Sequence, residues 1–320
     1  LNHRHRIDQG RTMTDRRVCF DFEIDFSNGG GIQGQDFRLD MDGDAITDEA
    51  LAAYVIADLR LLMVATVRIL NKRVIEERHK RAPSPLSAGH DDDAAGERHI
   101  DLSHTIEHGM VTYKGLPAPL ICDHLSREAS RGVYAEGTEF QIGRIDMVAN
   151  TGTYIDVPFH RYADGHDLAG LAVGTVADVP AVVVRTEGSD NRAIDWTHFV
   201  PVDCRGRAVL VHTGWDRHWR TDAYFEGHPF LTEKAAVYLR DQGARLVGID
   251  SLNIDDTSTG HRPVHSVLLA AGIPIVEHLT CLDRLPAEGA VFTAAPPRIK
   301  GMGTFPVRAF AKLLSSRTAS

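Results

Sequence analysis

Four short runs constrain the fold most: AVVVR at 181–185, AVLVH at 208–212, RLVGI at 245–249 and IPIV at 273–276. Each is brief, rich in β-branched residues and bounded by turn residues, the texture of a strand buried on both faces. Helical stretches alternate with them. TEKAAVYLRDQ (232–242) opens on Thr232, a good N-cap, and HSVLLAA (265–271) stops at Gly272. Strands alternating with helices imply parallel crossovers, so the fold class is α/β.

The first hundred residues read differently. Residues 18–29, VCFDFEIDFSNG, alternate apolar and acidic side chains as a strand with one buried face does, and NGGGIQGQDF then breaks the pattern. From Thr47 the apolar residues Leu51, Val55, Leu59, Leu62, Met63, Val67, Leu70 and Val74 recur at helical spacing. Thr47 suits an N-cap, and Asp48 and Glu49 suit the positive end of a helix. This spacing predicts one long amphipathic helix ending in NKRVIEERHKR and stopped by Pro83 and Pro85. Glu76 and Glu77 interrupt its basic end, which makes it a solvated helix terminus and not a nucleic-acid patch. Residues 82–98 combine Pro, Ser, Gly and Ala with a short acidic run and read as a linker. The expected organisation is therefore a strand-plus-long-helix extension at 1–81, a linker at 82–98 and an α/β domain at 99–320. A helix with one apolar face and little domain of its own predicts packing on the catalytic unit or on a partner subunit, hence a homodimer or higher homo-oligomer.

Composition narrows the partners. With 43% hydrophobic residues the 320-residue chain can bury a sizeable core, and a net charge of -9 argues against a general nucleic-acid surface. No run of about 18 apolar residues predicts a membrane span. The opening LNHRHRIDQGRTMTDRR lacks the apolar core of a secretory signal, and Met13 is a candidate natural first residue. The four cysteines are far apart and form no CxxC pair, which fits reduced thiols in a cytoplasmic protein.

Two segments carry candidate chemistry. In NTGTYIDVPFH (150–160), an extended backbone would put Asn150, Tyr154, Asp156 and His160 on one face, with Gly152 leaving room for a ligand or cation. In HSVLLAAGIPIVEHL, a helix from His265 is followed by a strand ending at Glu277, so two residues twelve apart can converge at the end of an open α/β sheet. Arg161 is a candidate anion clamp, with pairing to Asp164 or Asp167 as the bland alternative, and Tyr113 is a candidate cavity wall. Of the seventeen histidines, His79, His90, His198 and His228 sit in no ligand spacing.

Together these segments resemble the bacterial cyclase family, metal-dependent hydrolases that include kynurenine formamidase and isatin hydrolase, with the motif HxGTHxDxPxH. Gly152, Thr153, Asp156, Pro158 and His160 match it, while Asn150 and Tyr154 stand at the positions of two histidines. DLSHTIEHGM, LVHTGWDRHW, LVGIDSLNID and GMGTFPVR are similar to further family segments, so the resemblance spans about residues 100–313. It implies a swivelling β/β/α-type domain and an arylformamidase-like hydrolase of a small amide, formamide, cyclic amide or lactone, an activity associated with tryptophan catabolism.

The family's second group of metal ligands carries over whole, as Asp156, His265 and Glu277. The resemblance thus implies one divalent ion, zinc or manganese, with His160 moving a proton and Tyr154 donating to an oxyanion. Substrate contacts are expected from Asn150, Arg161 and Tyr113. Two alternatives stay open: a metal-free cyclase, dehydratase or isomerase using Tyr154, Asp156 and His160, and a non-catalytic small-molecule binder on the same fold.

Overall fold

A computed structural model describes residues 15–27, 31–40, 45–58, 61, 64–77, 98–188 and 191–313. These residues form two compact units. The chain builds the first with β1 (Asp15–Phe26), β2 (Gly31–Asp40), α1 (Asp48–Asp58) and β3 (Val64–Glu77). It then contributes β4 (Arg98–Asp101) to the second unit and returns to the first with β5 (Leu120–Leu125), the short α2 (Arg127–Ser130) and β6 (Ile142–Asp146).

In the first unit the strand order is β2-β1-β3, antiparallel throughout. The period-two reading of β1 holds: Val18, Phe20, Phe22 and Ile24 are buried. Phe37 of β2 meets the rings of Phe20 and Phe22 edge-on at 5.5 and 5.4 Å. Leu51, Val55 and Leu120 close this core. The glycine-rich stretch does not end the sheet but leads into β2, and Gly34 is required there because an added Cβ would lie 2.4 Å from the Phe22 ring.

The long helix expected from Thr47 onward is corrected. Thr47 does cap α1, its hydroxyl accepting from the Ala50 amide at 3.2 Å, but the helix ends at Asp58 and residues 64–77 pair with β1 as a strand. Val64, Thr66, Val67, Ile69, Val74 and Ile75 are β-branched, and their fit to a pleated surface outweighs an apolar spacing that also satisfied a helix. The division at 81 and 99 is corrected as well, since 120–146 belongs with the N-terminal residues. The linker at 82–98 and the start at Met13 lie, apart from Arg98, outside the described residues.

The second unit continues with β7 (Tyr154–Asp156), β8 (Val179–Arg185), β9 (Ala193–Ile194), β10 (Ala208–His212), β11 (Phe230–Leu231), α3 (Glu233–Asp241), β12 (Leu246–Ile249), α4 (Pro263–Ala270), β13 (Ile275–Glu277), β14 (Glu288–Thr293), β15 (Thr304–Pro306) and β16 (Phe310–Leu313). Nine of its strands make one curled mixed sheet in the order β15-β7-β13-β12-β10-β8-β14-β16-β4. The four runs read as buried strands form its parallel centre, β8, β10, β12 and β13. Both faces are covered: Val209, Val211, Val247 and Ile249 pack with Ala236, Leu239 and Leu268 of the helices, while Ala208, Leu210 and Val276 face the opposite core with Ile155 and Val157. Thr232 caps α3 through its hydroxyl, which accepts from Ala235 N at 3.1 Å, and Gly272 takes φ +72° after α4. No helix among the described residues is long and apolar enough to cross a membrane.

Candidate active site

Strand pairing assembles the site from distant parts of the chain. β7 runs antiparallel to β13 on one side, with Tyr154 opposite Glu277, and to β15 on the other, with Asp156 opposite Thr304. Directly opposed residues share a face, so Tyr154, Asp156, Glu277 and Thr304 project together while Ile155 and Val276 enter the core. The site lies beyond the carboxyl ends of β12 and β13, where open α/β sheets place ligands.

The alternating face expected over the whole of 150–160 extends only through β7. Gly152 takes φ +66°, and Pro158–His160 forms a 3₁₀ turn. The turn, and not alternation, brings His160 back toward Asp156, with their Nδ1 and Oδ1 atoms 3.7 Å apart. The close passage of Gly303 makes this approach possible, since a Cβ there would lie 2.1 Å from His160 N.

Hydrogen bonds fix how each imidazole is presented. The Thr304 hydroxyl donates its single hydrogen to Asp156 Oδ1, so at the 2.6 Å contact between Thr304 Oγ1 and His160 Nδ1 the imidazole is the donor, and in the neutral ring Nε2 carries the lone pair. His265 sits in the first turn of α4 with Nδ1 donating to Asp255 Oδ2 at 2.7 Å. Asp255 also accepts from Val264 N at 2.8 Å and His265 N at 3.0 Å. His265 Nε2 therefore faces Asp156 Oδ2 at 3.6 Å and Glu277 Oε1 at 3.8 Å. Burial disfavours charge on His265, but Asp156, Asp255 and Glu277 outweigh it and raise the imidazole to about 10.

Glu277 is fully buried. Its Oε2 accepts from Tyr154 OH at 2.6 Å and Asn253 Nδ2 at 3.3 Å, and its Oε1 accepts from Ile254 N at 2.6 Å. Burial pushes its carboxyl up to about 7, against the opposing pull of His265. Tyr154 is likewise enclosed, and burial followed by the charge of Glu277 holds its phenol well above the usual range. It is a neutral donor committed to Glu277. Its hydroxyl hydrogen is directed to Glu277, and Tyr154 also lines the cavity.

Donor atoms of Asp156, His160 and His265 lie within 4.8 Å of one another, and Asp156 Oδ2 is buried without a hydrogen-bond partner. The orphan carboxylate oxygen and the two nearby imidazoles fit a divalent cation, which would take the place of the proton that His265 holds between Asp156 and Glu277. Two of the three expected ligands, Asp156 and His265, stand in this group with His160, and the third, Glu277, has its Oε1 3.8 Å from His265 Nε2 while its oxygens accept three hydrogen bonds.

Tyr113, Asn150, Tyr154, His160, Arg161 and Glu277 line one cavity of about 570 Å³. Asp164 and Asp167 do not pair with Arg161; Asp167 instead accepts from Gly170 N at 2.9 Å and Gly301 N at 2.7 Å. His228 is buried and lowered to about 4 by that burial, and it takes no part in the site. His79 and His90 lie outside the described residues. Asp255 and Thr304 went unassigned in the sequence, although both stand in segments similar to the family's, LVGIDSLNID and GMGTFPVR.

Residues 100–256 match the family described as "Putative cyclase". Kynurenine formamidase of Geobacillus thermodenitrificans is 31% identical over 212 residues, 66% of this chain and 95% of that protein. The enzyme of the same name from Bacillus cereus is 27% identical over 214 residues, again 66% and 95% of the two chains. A solved structure described as a potential metal-dependent hydrolase with cyclase activity aligns with a TM-score of 0.56 at 28% identity, covering 68% of this chain and 98% of its own. Isatin hydrolase A from Labrenzia aggregata aligns with a TM-score of 0.58 at 23% identity, covering 68% and 94%, and shares the fold.

Proposed function

The chain belongs to the cyclase family, and from that membership together with the converging Asp156, His160 and His265 we propose that it is a metal-dependent hydrolase of a small amide, formamide or cyclic amide. The observation that carries this reading is the unpartnered, buried Oδ2 of Asp156 in a cluster with His160 and His265, two imidazoles that line a cavity. Asp156, His160 and His265 would hold the ion, and two nitrogens with a carboxylate suit zinc or manganese. A divalent cation supplies Lewis acidity, which makes water a stronger nucleophile near neutral pH.

The protein's own groups supply the rest. Thr304 and Asp255 hold the two imidazoles in orientation, so that neither must reorganise during the reaction. Asn150 lines the cavity and makes no side-chain hydrogen bond among the described residues, leaving its amide for the substrate carbonyl. Water adds to that carbonyl carbon, the C–N bond breaks and the amine leaves. Glu277, raised to about 7, is suited to take the proton from water and return it to the departing nitrogen, while Tyr154 and Asn253 hold its other oxygen.

The test is hydrolysis of formanilide by protein of known metal content, before and after chelation and after return of zinc or manganese. Turnover should fall with the metal, recover with it, and be abolished by Asp156→Ala. Full turnover in metal-free protein would overturn the reading.

A further inference from the structure

Arginines gather at the outer part of the cavity. Its buried lining includes Glu277, the only acid among the described lining residues, with Asp255 behind His265, whereas the more exposed Arg161, His261 and Arg262 form its rim. Neither arginine has a carboxylate partner among the described residues. Arg161 makes one long contact, Nε to Ser266 Oγ at 3.4 Å, and lies 5.3 Å from the centre of the Tyr162 ring. Arg262 is half-buried and held by one nitrogen: Nη1 donates to the carbonyl oxygens of Asp256, Thr259 and His261 at 3.2, 2.7 and 2.7 Å. Its Nε and Nη2 have no protein partner among the described residues.

Each arginine is also tied to an imidazole of the site. Arg161 follows His160 directly, and Arg262 caps α4 three residues before His265. Ser266 links the two, accepting from Arg161 and donating to the Arg262 carbonyl at 2.8 Å. An unpaired guanidinium fixed by carbonyls presents a planar fork of donors without losing side-chain freedom on binding, the arrangement that recognises a carboxylate.

We propose that Arg161 and Arg262 bind a carboxylate on the substrate, so that the substrate is an amide carrying an anionic group remote from the bond that is cleaved. This rests on the hydrolase reading for the word amide, but the anion site stands on the rim alone. The carboxylate at the rim sets which end of the molecule reaches Asp156, His160 and Glu277. Arg161 and Arg262 are thus specificity-determining residues.

Two measurements test it. In the first, kcat/KM is compared for formanilide and for formamidobenzoates that differ from it by one ring carboxylate. At least one formamidobenzoate should exceed formanilide by about tenfold or more, the scale of a charge-assisted hydrogen bond, and the ratio should collapse in Arg262→Gln and Arg161→Gln. Turnover of formanilide without preference for any formamidobenzoate overturns the anion site and leaves the hydrolase reading intact.

The second measurement needs no turnover: calorimetric binding of benzoate against benzamide to the wild-type protein and to both variants. Benzoate should bind about tenfold tighter to wild type and lose that advantage in each variant. Equal binding of the two to wild type, or a benzoate preference retained in both variants, overturns the proposal. Because Arg262 also holds its loop, Arg262→Lys serves as the milder change; it keeps the charge but not the fork and should retain part of the preference.

Discussion

At the scale of single residues, the arrangement around Asp156 depends on one hydroxyl. Thr304 donates to Asp156 and accepts from His160, so it sets both the free carboxylate oxygen and the imidazole tautomer. Thr304→Val preserves shape and removes both bonds. Metal affinity, measured by competition with a chelating dye, should fall about 10- to 100-fold, the usual consequence of losing a residue that orients a ligand. An unchanged affinity would show that the imidazole is oriented by something else.

A second residue, Asp250, makes stability depend on pH away from the cavity. It is fully buried and accepts from Thr213 N, Thr213 Oγ and Gly214 N at 2.8, 2.6 and 2.9 Å, yet burial outweighs these bonds and raises it to about 7. The folded state therefore holds this proton more tightly than the unfolded chain. Its stabilisation is complete below the ordinary value of 3.8 and is lost as pH rises through about 7, an effect on the order of a few kcal/mol. Asp250→Asn should flatten the fall in denaturant midpoint between pH 4 and 7, even though the amide cannot reproduce all three bonds and the variant starts less stable. A slope equal to wild type would place the titration elsewhere.

At the scale of elements, the β5–β6 hairpin is the piece most exposed to error in dissection. Leu120 packs with Val18, Phe20, Leu51 and Val55, so a fragment of residues 99–320 keeps the hairpin and loses its core. It should bind a hydrophobic dye such as ANS and melt with less cooperativity than the full chain; a dye-silent fragment with a sharp transition would contradict this. The parallel strands were legible because AVVVR and AVLVH are apolar without interruption, as burial on both faces demands. The strand β3 was not, because Val67, Leu70 and Val74 recur at helical spacing and only the pairing with β1 makes the segment a strand. Tyr154 and Asp156 could be placed on one face from their spacing alone. Thr304 could not, because it reaches Asp156 across 148 positions, and a sheet register that distant leaves no local signal.

At the scale of the molecule, a site of this kind couples ligand to stability. If Asp156, His160 and His265 hold a cation in the folded state and not in the unfolded one, zinc or manganese at a hundred times its dissociation constant adds about 2.7 kcal/mol. The melting of the second unit should then rise by roughly 5 °C or more, and the rise should vanish in Asp156→Ala. A melting temperature indifferent to either metal would mean that no cation is bound by the native fold.

The edge strand β4 bears on how the chain is made. Its partner β16 pairs Ile100 with Ala311, so the first strand of the large sheet to leave the ribosome is held by the last of its described strands. During synthesis β4 must wait with its backbone groups unpaired while the centre of the sheet forms, and the first unit cannot close until Asp146 has also been added. At ribosomal rates of ~5–20 residues per second, the wait between residues 101 and 310 lasts on the order of ten seconds or more. Over that interval the nascent chain exposes a strand edge to its surroundings, and slowing elongation late in the message should favour aggregation more than slowing it early.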